Sequence, residues 1–252
     1  MKAAERRIKL REIFDAQDFA DLETLGRRLK TSDSTIRRDL IALEREGVLK
    51  RVHGGALSAT PSRDHLLDFS WQSRRMSEEK RSIARAAAAL VEDGQTVILD
   101  GGSTVAAVAH QLLGRSLHVM TNSLPIADVF ADARQIELTL TGGFLYPRLG
   151  VMLGPLCEQM LAGVAADILI MGTGGVTEAG FSNNNTLIVG SERKMIEVSR
   201  KIVIVADHTK FGRAAMVPLA PLEAAQVVVS DAGLDPAFAI LLRSRGVEVV
   251  LA

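Results

Sequence analysis

Residues 22–56 constrain the fold of this chain more than any other segment. Three leucines recur at helical spacing over residues 22–29, which predicts a short helix with one buried face. After a tight connection at Lys30 and Thr31, apolar side chains at i, i+4 and i+7 predict a second helix over about residues 33–46. Two amphipathic helices joined by so short a connection indicate a helix-turn-helix unit.

The second helix has the polar surface that a DNA-reading helix needs. Ser32 stands where its hydroxyl can cap the helix. Thr35, Arg37 and Arg38 are left on the outer side of the first turns, where a recognition helix meets base edges in the major groove. Gly47 ends the helix, because glycine tolerates the left-handed cap conformation. The pattern therefore predicts a recognition helix.

The flanking segments complete a winged helix-turn-helix domain. An earlier helix is predicted because Leu10, Ile13 and Phe14 stand at i, i+3 and i+4. Residues 48–56 predict a small β-hairpin, a wing that would lie on DNA phosphates. Residues 24–51 carry eight basic and four acidic side chains in a chain whose formal net charge is +0. The positive charge is therefore local to this unit, as DNA binding requires.

The sequence of this segment resembles the DeoR family of bacterial transcriptional regulators. The matching residues are Thr35-Ile36-Arg37-Arg38-Asp39-Leu40, Leu43-Glu44, Gly47 and Arg51-Val52-His53-Gly54-Gly55-Ala56. The resemblance implies a DNA-binding domain over residues 1–57 and a C-terminal domain that senses a phosphorylated sugar or a close relative. The residues expected at the DNA are Ser32, Ser34, Thr35, Arg37, Arg38, Lys50, Arg51 and His53.

Cysteine content and hydropathy indicate a cytoplasmic protein. Cys157 is the only cysteine, so no disulfide can form within the chain, which fits a reducing compartment. The N-terminus is charged and lacks the apolar core of a signal peptide. No apolar run approaches the roughly 20 residues of a membrane span. We therefore expect no membrane partner.

The rest of the chain predicts a linker and then a larger α/β domain. Residues 58–76 contain Pro61, several serines and no clear period, which is typical of a linker. Trp71, the only tryptophan, is expected to be a packing anchor there. Within residues 77–252, short apolar strands alternate with glycine turns and helices. This alternation predicts a sensor domain with a mostly parallel sheet.

Polar residues gather where the predicted strands end. In open parallel sheets the carboxyl ends of the strands form the edge where ligands bind. The glycine turn at residues 101–104 lets the backbone approach an anion, and the following helix supplies free N–H groups and a positive dipole end. Such a turn alone is a weak signal, because glycines also make plain connections. Five turns of this kind on one edge, together with Lys210, favour a phosphate site.

Motifs of several other chemistries do not occur in the sequence. There is no GxxxxGK[ST] motif, and Gly172-Thr173-Gly174 lacks the third glycine of a dinucleotide fingerprint. Ser103 lies in GGSTV, which lacks the second glycine of a nucleophile elbow. The five histidines show no close pairing. We therefore expect neither a cofactor nor a metal.

The second domain resembles the DeoR sensor domain, which is similar in fold to ribose-5-phosphate isomerase. The matching segments are Asp100-Gly101-Gly102-Ser103-Thr104, Thr121-Asn122-Ser123, Thr141-Gly142-Gly143, Glu192 with Lys194, and residues 206–211. By this resemblance Ser103 and Thr104 hold a phosphate. The full set expected at the effector is Asp100, Gly101, Gly102, Ser103, Thr104, Thr121, Asn122, Gly142, Gly143, Gly172, Glu192, Lys194, Asp207 and Lys210.

The same similarity raises an alternative, a sugar-phosphate isomerase-like enzyme with an appended DNA-binding domain. Those isomerases place an acidic cluster after a central strand, whereas residues 171–175 contain no carboxylate and Glu192 stands alone. Proton transfer along a sugar needs more than one such group. We therefore predict a regulator and not an enzyme. It is expected to repress a carbohydrate-metabolism operon, to bind double-stranded operator DNA and a phosphorylated sugar, and to form a homo-oligomer, either a dimer or a tetramer.

Overall fold

The chain forms two compact units, Met1–Arg75 and Met76–Ala252. The computed structural model describes residues 3–16, 19–52, 54–58, 69, 73 and 77–252. His53, Pro61 and Trp71, with most of the predicted linker, lie outside the described residues. Within the described ranges, no helix has the length and apolar character needed to cross a membrane.

Three helices of the first unit lie within its described residues. They are α1 (Ala3–Ala16), α2 (Leu22–Leu29) and α3 (Asp33–Arg45). Lys30 ends α2 with a left-handed backbone (φ 49°), which makes the short turn into α3. The fully buried side chains of the core they share are Leu10, Phe14, Leu25, Ile36, Leu40 and Leu43. The helices predicted from apolar spacing are confirmed, and α3 ends one residue earlier than expected.

A three-stranded antiparallel sheet completes the first unit. Its strands are β1 (Phe19–Asp21), β2 (Leu49–Val52) and β3 (Gly55–Ser58), in the order β1-β3-β2. β2 and β3 form the predicted wing and turn at Gly54, whose φ is +80°. A Cβ at Gly55 would lie 2.4 Å from the carbonyl oxygen of Ala20, so only glycine lets β3 approach β1. β1 was not predicted, because three residues are too few to show a period.

A seven-stranded parallel sheet forms the centre of the second unit. Counted along the whole chain, its strands are β4 (Thr96–Leu99), β5 (Leu117–Thr121), β6 (Ile136–Leu140), β9 (Ala166–Met171), β12 (Ser199–Val205), β14 (Val227–Ser230) and β15 (Glu248–Leu251). Most of their residues are apolar and buried, as in parallel sheets that are covered on both faces. The predicted α/β fold is confirmed.

Helices and two small antiparallel sheets connect these strands. The helices are α4 (Ser77–Ala88), α5 (Ser103–Gln111), α6 (Leu124–Phe130), α7 (Pro155–Ala162), α8 (Thr186–Glu197) and α9 (Pro236–Ser244). One small sheet pairs β7 (Phe144–Tyr146) with β8 (Val151–Leu153). The other contains β10 (Gly175–Thr177), β11 (Gly180–Asn183) and β13 (Val217–Ala220). These short strands, unlike the parallel sheet, were not predicted.

The strand order brings two polar strand ends together. The order is β15-β14-β12-β9-β4-β5-β6. From β4 the chain adds β5 and β6 on one side, whereas the strands from β9 onward extend the sheet on the other. The order therefore reverses between β4 and β9, and such a reversal opens the crevice in which parallel α/β sheets bind ligands. Asp100 follows β4 and Gly172 follows β9, so both lie at this crevice.

Candidate DNA-binding surface and effector site

The outer face of α3 presents polar side chains over a buried apolar face. Ser34, Arg37 and Arg38 are exposed, Thr35 is half-buried and Ile36 is fully buried. The residues predicted to meet the major groove therefore lie on the solvent side of the helix. Two guanidinium groups there can donate paired hydrogen bonds to guanine or to phosphate.

Ser32 occupies the N-cap position of α3, but its hydroxyl does not cap the helix. Its backbone carbonyl oxygen accepts the amides of Thr35 and Ile36, each at 3.0 Å. Its hydroxyl instead lies 3.0 Å from the hydroxyls of Ser34 and of Thr35, and no side-chain cap bond forms. The expected cap was wrong, because neighbouring hydroxyls take its place. The three hydroxyls form an exposed cluster at the start of the recognition helix.

Asp39 is a buried charge on the recognition helix that the sequence reasoning missed. Its side chain is only 3% exposed and accepts hydrogen bonds from Arg6 and Arg7 of α1, the latter at 3.2 Å. The pair joins α1 to α3 and so fixes the helix that faces DNA. Its position between Ile36 and Leu43 on the apolar stripe was the signal that could have revealed it.

The wing places its two basic residues in different surroundings. Lys50 is exposed. Arg51 is also partly exposed, but its Nε donates to Oε2 of Glu44 at 2.7 Å and its backbone amide donates to Oε1 at 2.8 Å. Arg51 was expected to neutralise a phosphate, whereas its charge here is paired with a carboxylate of α3. His53, also expected at the DNA, lies outside the described residues.

The glycine turn after β4 has the shape of an anion-binding site. A Cβ at Gly101 would lie 2.3 Å from Cγ1 of Val151, so only glycine fits there. Gly102 has φ +120° and precedes α5, which Ser103 and Thr104 begin. Both hydroxyl residues are buried, at 8% and 9% exposure. Backbone amides and hydroxyls thus meet at the positive end of a helix dipole.

Lys80 joins this turn and was missed by the sequence reasoning. It is 6% exposed, and its Nζ donates to the Ser103 hydroxyl oxygen at 2.9 Å. It lies on α4, where Ile83, Ala84 and Ala87 share its buried face. A lysine on an apolar stripe was the available signal, since lysine is rarely buried without a partner. Its Nζ therefore adds a hydrogen-bond donor beside the turn.

Two buried carboxyl groups face the crevice. Burial raises the pKa of Asp100 to about 7, although the backbone amides of Gly101 and Gly172 donate to it and oppose the shift. Burial, and then the negative charge of Asp100, raise the pKa of Glu192 well above its usual range. Glu192 was expected to stand alone. The structure corrects this, because the strand order brings Asp100 close enough to act on it.

Two oxygens of this crevice have no hydrogen-bond partner among the described residues, although they are buried. They are Oδ1 of Asn122 and Oε2 of Glu192. The opposite atoms of both side chains are held: Nδ2 of Asn122 donates to the Met152 carbonyl oxygen at 3.2 Å, and Oε1 of Glu192 accepts Nδ2 of Asn183 at 2.6 Å. A Cβ at Gly101 would lie 3.9 Å from the Asn122 oxygen. A buried polar atom without a partner is costly. The Asn122 oxygen therefore suits a ligand group that donates a hydrogen bond, and the oxygen of Glu192, whose pKa is raised, suits a group such as a hydroxyl that can also accept one.

Three predicted effector residues have structural roles. The Thr121 hydroxyl is fully buried and donates to the Leu99 carbonyl oxygen at 2.7 Å, so it fastens β5 to β4. The Gly142 amide points at the sulfur of Met160, 2.9 Å away. Gly143 has φ +127°, and a Cβ there would lie 2.4 Å from the Leu153 carbonyl oxygen. These contacts account for the three residues structurally, and their place in the effector site stays a prediction.

Lys194 and Asp207 are likewise engaged locally. The Lys194 ammonium donates to Glu197 at 2.6 Å. Lys194 lies two residues after Glu192 on the same helix, which places the two side chains about 200° apart around the helix axis. Asp207 accepts the Thr209 amide at 3.0 Å and also the Thr209 hydroxyl. Their place in the effector site stays a prediction.

Lys210 lies near the carboxyl edge of the sheet. It ends the 3-10 turn His208–Lys210 that follows β12, the neighbour of β9. In the same turn, Nδ1 of His208 lies 2.7 Å from Oδ2 of Asp231. The described residues contain no group of three His, Cys, Asp or Glu side chains that could hold a metal ion.

Comparisons with known proteins match both units. The family model of the DeoR-like helix-turn-helix domain matches residues 6–62, and that of the DeoR C terminal sensor domain matches residues 75–232. The chain is 32% identical to the HTH-type transcriptional repressor GlcR of Bacillus subtilis (strain 168), over 100% of this chain and 97% of that protein. It is 34% identical to the glycerol-3-phosphate regulon repressor of Escherichia coli (strain K12), over 92% of each. Ribose 5-phosphate isomerase A of Methanocaldococcus jannaschii aligns over 54% of each chain at 18% identity, with a TM-score of 0.40.

Proposed function

This chain belongs to the DeoR family of transcriptional regulators, and we propose that its second unit binds a phosphorylated sugar that controls DNA binding by its first. The chain is a DNA-binding regulator and not an enzyme, because full-length relatives that match both units are regulators. We further propose that it represses a carbohydrate-metabolism operon. The names of two of those relatives, both repressors, support this sign of regulation.

The observation that carries the proposal is a buried lysine beside a glycine turn at a helix N-terminus. The Lys80 ammonium lies 2.9 Å from the Ser103 hydroxyl oxygen, and residues 101–104 supply backbone amides at the start of α5. An ammonium, hydroxyls and helix-terminal amides together suit a phosphate dianion. We assign Gly101, Gly102, Ser103, Thr104 and Lys80 to the phosphate group.

The neighbouring part of the crevice suits hydroxyl groups. Asn122 and Glu192 each present a buried oxygen that has no partner among the described residues. Asp100 adds a second carboxyl group, and burial raises the pKa of both carboxyl groups. A sugar hydroxyl can donate to the Asn122 oxygen and can either donate to or accept from a carboxyl group, whereas a ligand carboxylate can only accept. The proposed effector is therefore a phosphate ester of an uncharged sugar or polyol.

Paired carboxyl groups also occur in enzymes that move protons, so absence of turnover needs a direct test. Full-length protein incubated with pentose and hexose phosphates is expected to return them unchanged. Isomerised or hydrolysed product formed at about 1 s⁻¹ or faster, the lower end of typical kcat values, would support the alternative that the chain is an isomerase-like enzyme. In that case Asp100 and Glu192 would be the acid–base pair.

We also propose that the chain is a homo-oligomer, a dimer or a tetramer, that acts in the cytoplasm. Two DNA-binding domains on two half-sites of the DNA multiply the modest specificity of a single domain. Several large apolar side chains of the second unit are exposed and could be covered by another copy, among them Phe144, Leu145, Leu156 and Leu187. Sedimentation of the full-length protein measures the oligomeric state directly.

Thermal melting with a panel of small molecules tests the ligand class. A ligand that binds only the folded state raises the free energy of unfolding, by about 2.7 kcal/mol at a concentration 100 times its Kd, and so raises the melting temperature. Glycerol 3-phosphate, pentose 5-phosphates and hexose 6-phosphates are compared with the same sugars lacking phosphate and with 6-phosphogluconate. We expect stabilisation only by a phosphate ester of an uncharged sugar or polyol. The proposal would be contradicted if an unphosphorylated sugar stabilised the protein equally, or if no compound of the panel stabilised it.

A further inference from the structure

One carboxylate fastens the wing to the recognition helix. Glu44 lies on α3 two turns after Arg37, and both of its oxygens accept hydrogen bonds from Arg51 of β2. Oε1 accepts the backbone amide at 2.8 Å and Oε2 accepts Nε at 2.7 Å. The contact therefore fixes the backbone of the hairpin as well as a side chain.

The environment of Glu44 keeps this contact ionised. Burial raises the pKa of Glu44, but the hydrogen bonds from Arg51 together with the charges of Arg51 and Lys50 outweigh it and lower the pKa below its usual range. An exposed ion pair by itself contributes little to stability. Here the Glu44 side chain is two-thirds covered, and its carboxylate also accepts a backbone amide, a bond to a charged group that is stronger than a neutral one.

A carboxylate at this position is unfavourable for DNA binding on charge alone. It lies on the helix that faces DNA, where it repels phosphates, and it neutralises the positive charge of Arg51. Lys50, one residue earlier on the same strand, is exposed. If Glu44 served no purpose in binding, the reader would hold DNA more tightly without it.

We propose that Glu44 is a positioning residue for DNA binding. It sets the hairpin of β2 and β3 against α3 and holds the Arg51 guanidinium away from the DNA backbone. Lys50 is then the phosphate contact of β2. Arg51 acts through Glu44, and the orientation of the wing depends on this pair.

Variants of the full-length chain test the proposal on a duplex that the wild-type protein selects from a random DNA library. Glu44→Ala removes both hydrogen bonds and is expected to weaken binding about tenfold, although it also removes a negative charge. Glu44→Gln keeps an oxygen that can accept the Arg51 amide and is expected to recover most of that loss. Glu46→Ala is the matched control, because Glu46 is an exposed carboxylate that pairs with Arg11 of α1 and not with the wing.

The two explanations of Glu44 predict opposite changes in DNA affinity. A positioning role predicts that Glu44→Ala binds more weakly than both Glu44→Gln and Glu46→Ala. A role through charge alone predicts that all three variants bind as tightly as the wild type or more tightly. That second result would overturn the proposal.

Salt dependence separates Lys50 from Arg51 without changing Glu44. Lys50→Ala is expected to reduce the slope of log affinity against log salt by about 0.9 per bound reader, the value for one lost phosphate contact. Arg51→Ala is expected to weaken binding while the slope stays at its wild-type value. An equal reduction of the slope by Arg51→Ala would place its guanidinium on a phosphate and refute the assignment.

Discussion

Asp100 and Glu192 link the stability of the second unit to pH. Burial raises the pKa of both carboxyl groups, that of Asp100 to about 7. The folded protein therefore holds these protons more tightly than the unfolded chain, in which carboxyl groups titrate near pH 4. The stability that depends on the protons is fully present below about pH 4 and is lost as pH rises through about 7.

We predict that the melting temperature falls from pH 5 to pH 8 and that Asp100→Asn makes this fall shallower. The variant lacks one ionisable group and also removes the negative charge that raises the pKa of Glu192. Asp93→Asn is the control, because Asp93 is an exposed carboxylate whose pKa is lowered by Arg115 and so does not titrate in this range. The same pH dependence in Asp100→Asn and the wild type would contradict the assignment.

Lys80 permits a test of the phosphate seat. Lys80→Met keeps the length of the side chain and removes the ammonium, so phosphate affinity is expected to fall about 10- to 100-fold, the value of a charge-assisted hydrogen bond. Arg85→Met on the same helix is exposed and serves as the control for loss of one positive charge. Isothermal titration of the effector into each full-length variant measures the change. Equal affinity in Lys80→Met and Arg85→Met would place the phosphate elsewhere.

Substitution of Arg37 or Arg38 on the recognition helix α3 is expected to weaken DNA binding without unfolding the protein. Arg37 and Arg38 are exposed while the opposite face of the helix is buried, so neither guanidinium supports the core. Changing either to Ala is expected to weaken binding by about 1–3 kcal/mol. Circular dichroism should show unchanged helix content, and fluorescence anisotropy on a duplex measures affinity. Wild-type affinity in both variants would remove these side chains from the interface.

Elements with a clear period could be predicted from the sequence, and those without one could not. α1 and α3 each bury three apolar side chains at helical spacing and α2 buries Leu22 and Leu25, while most of the parallel strands are apolar runs between glycine turns. β1 has three residues, too few to show alternation. The β7–β8 hairpin was missed for the same reason, because each of its strands has three residues.

The site was only partly predictable, because it depends on which strands become neighbours. Local sequence identified the glycine turn at residues 101–104 and its hydroxyls. The proximity of Asp100 to Glu192 follows from the placement of β9 beside β4, which no local pattern encodes. Lys80 could have been found, since it interrupts an apolar helix face. The role of Thr121 could not be decided from the sequence, because a hydroxyl at a strand end has the same sequence signature whether it binds a ligand or, as here, a backbone carbonyl.

Control of DNA binding requires that the effector bind one state of the whole chain more tightly than another. The coupling must then be reciprocal, so that DNA changes the effector affinity by the same factor as the effector changes the DNA affinity. Titrating effector into the free protein and into its DNA complex should therefore give two affinities whose ratio matches the shift in DNA affinity. Unequal factors would show that the effector acts outside a binding equilibrium.

The most direct test of the account is the DNA response of Thr104→Glu. This change places a fixed negative charge in the turn where the phosphate should bind, and it leaves the first unit unaltered. Anisotropy of a labelled duplex is followed while effector is added to full-length wild-type and variant protein. If the phosphate binds in this turn, the effector shifts the DNA affinity of the wild type and has no effect on a folded Thr104→Glu protein that still binds DNA. A variant that responds to the effector as the wild type does would show that the phosphate binds elsewhere.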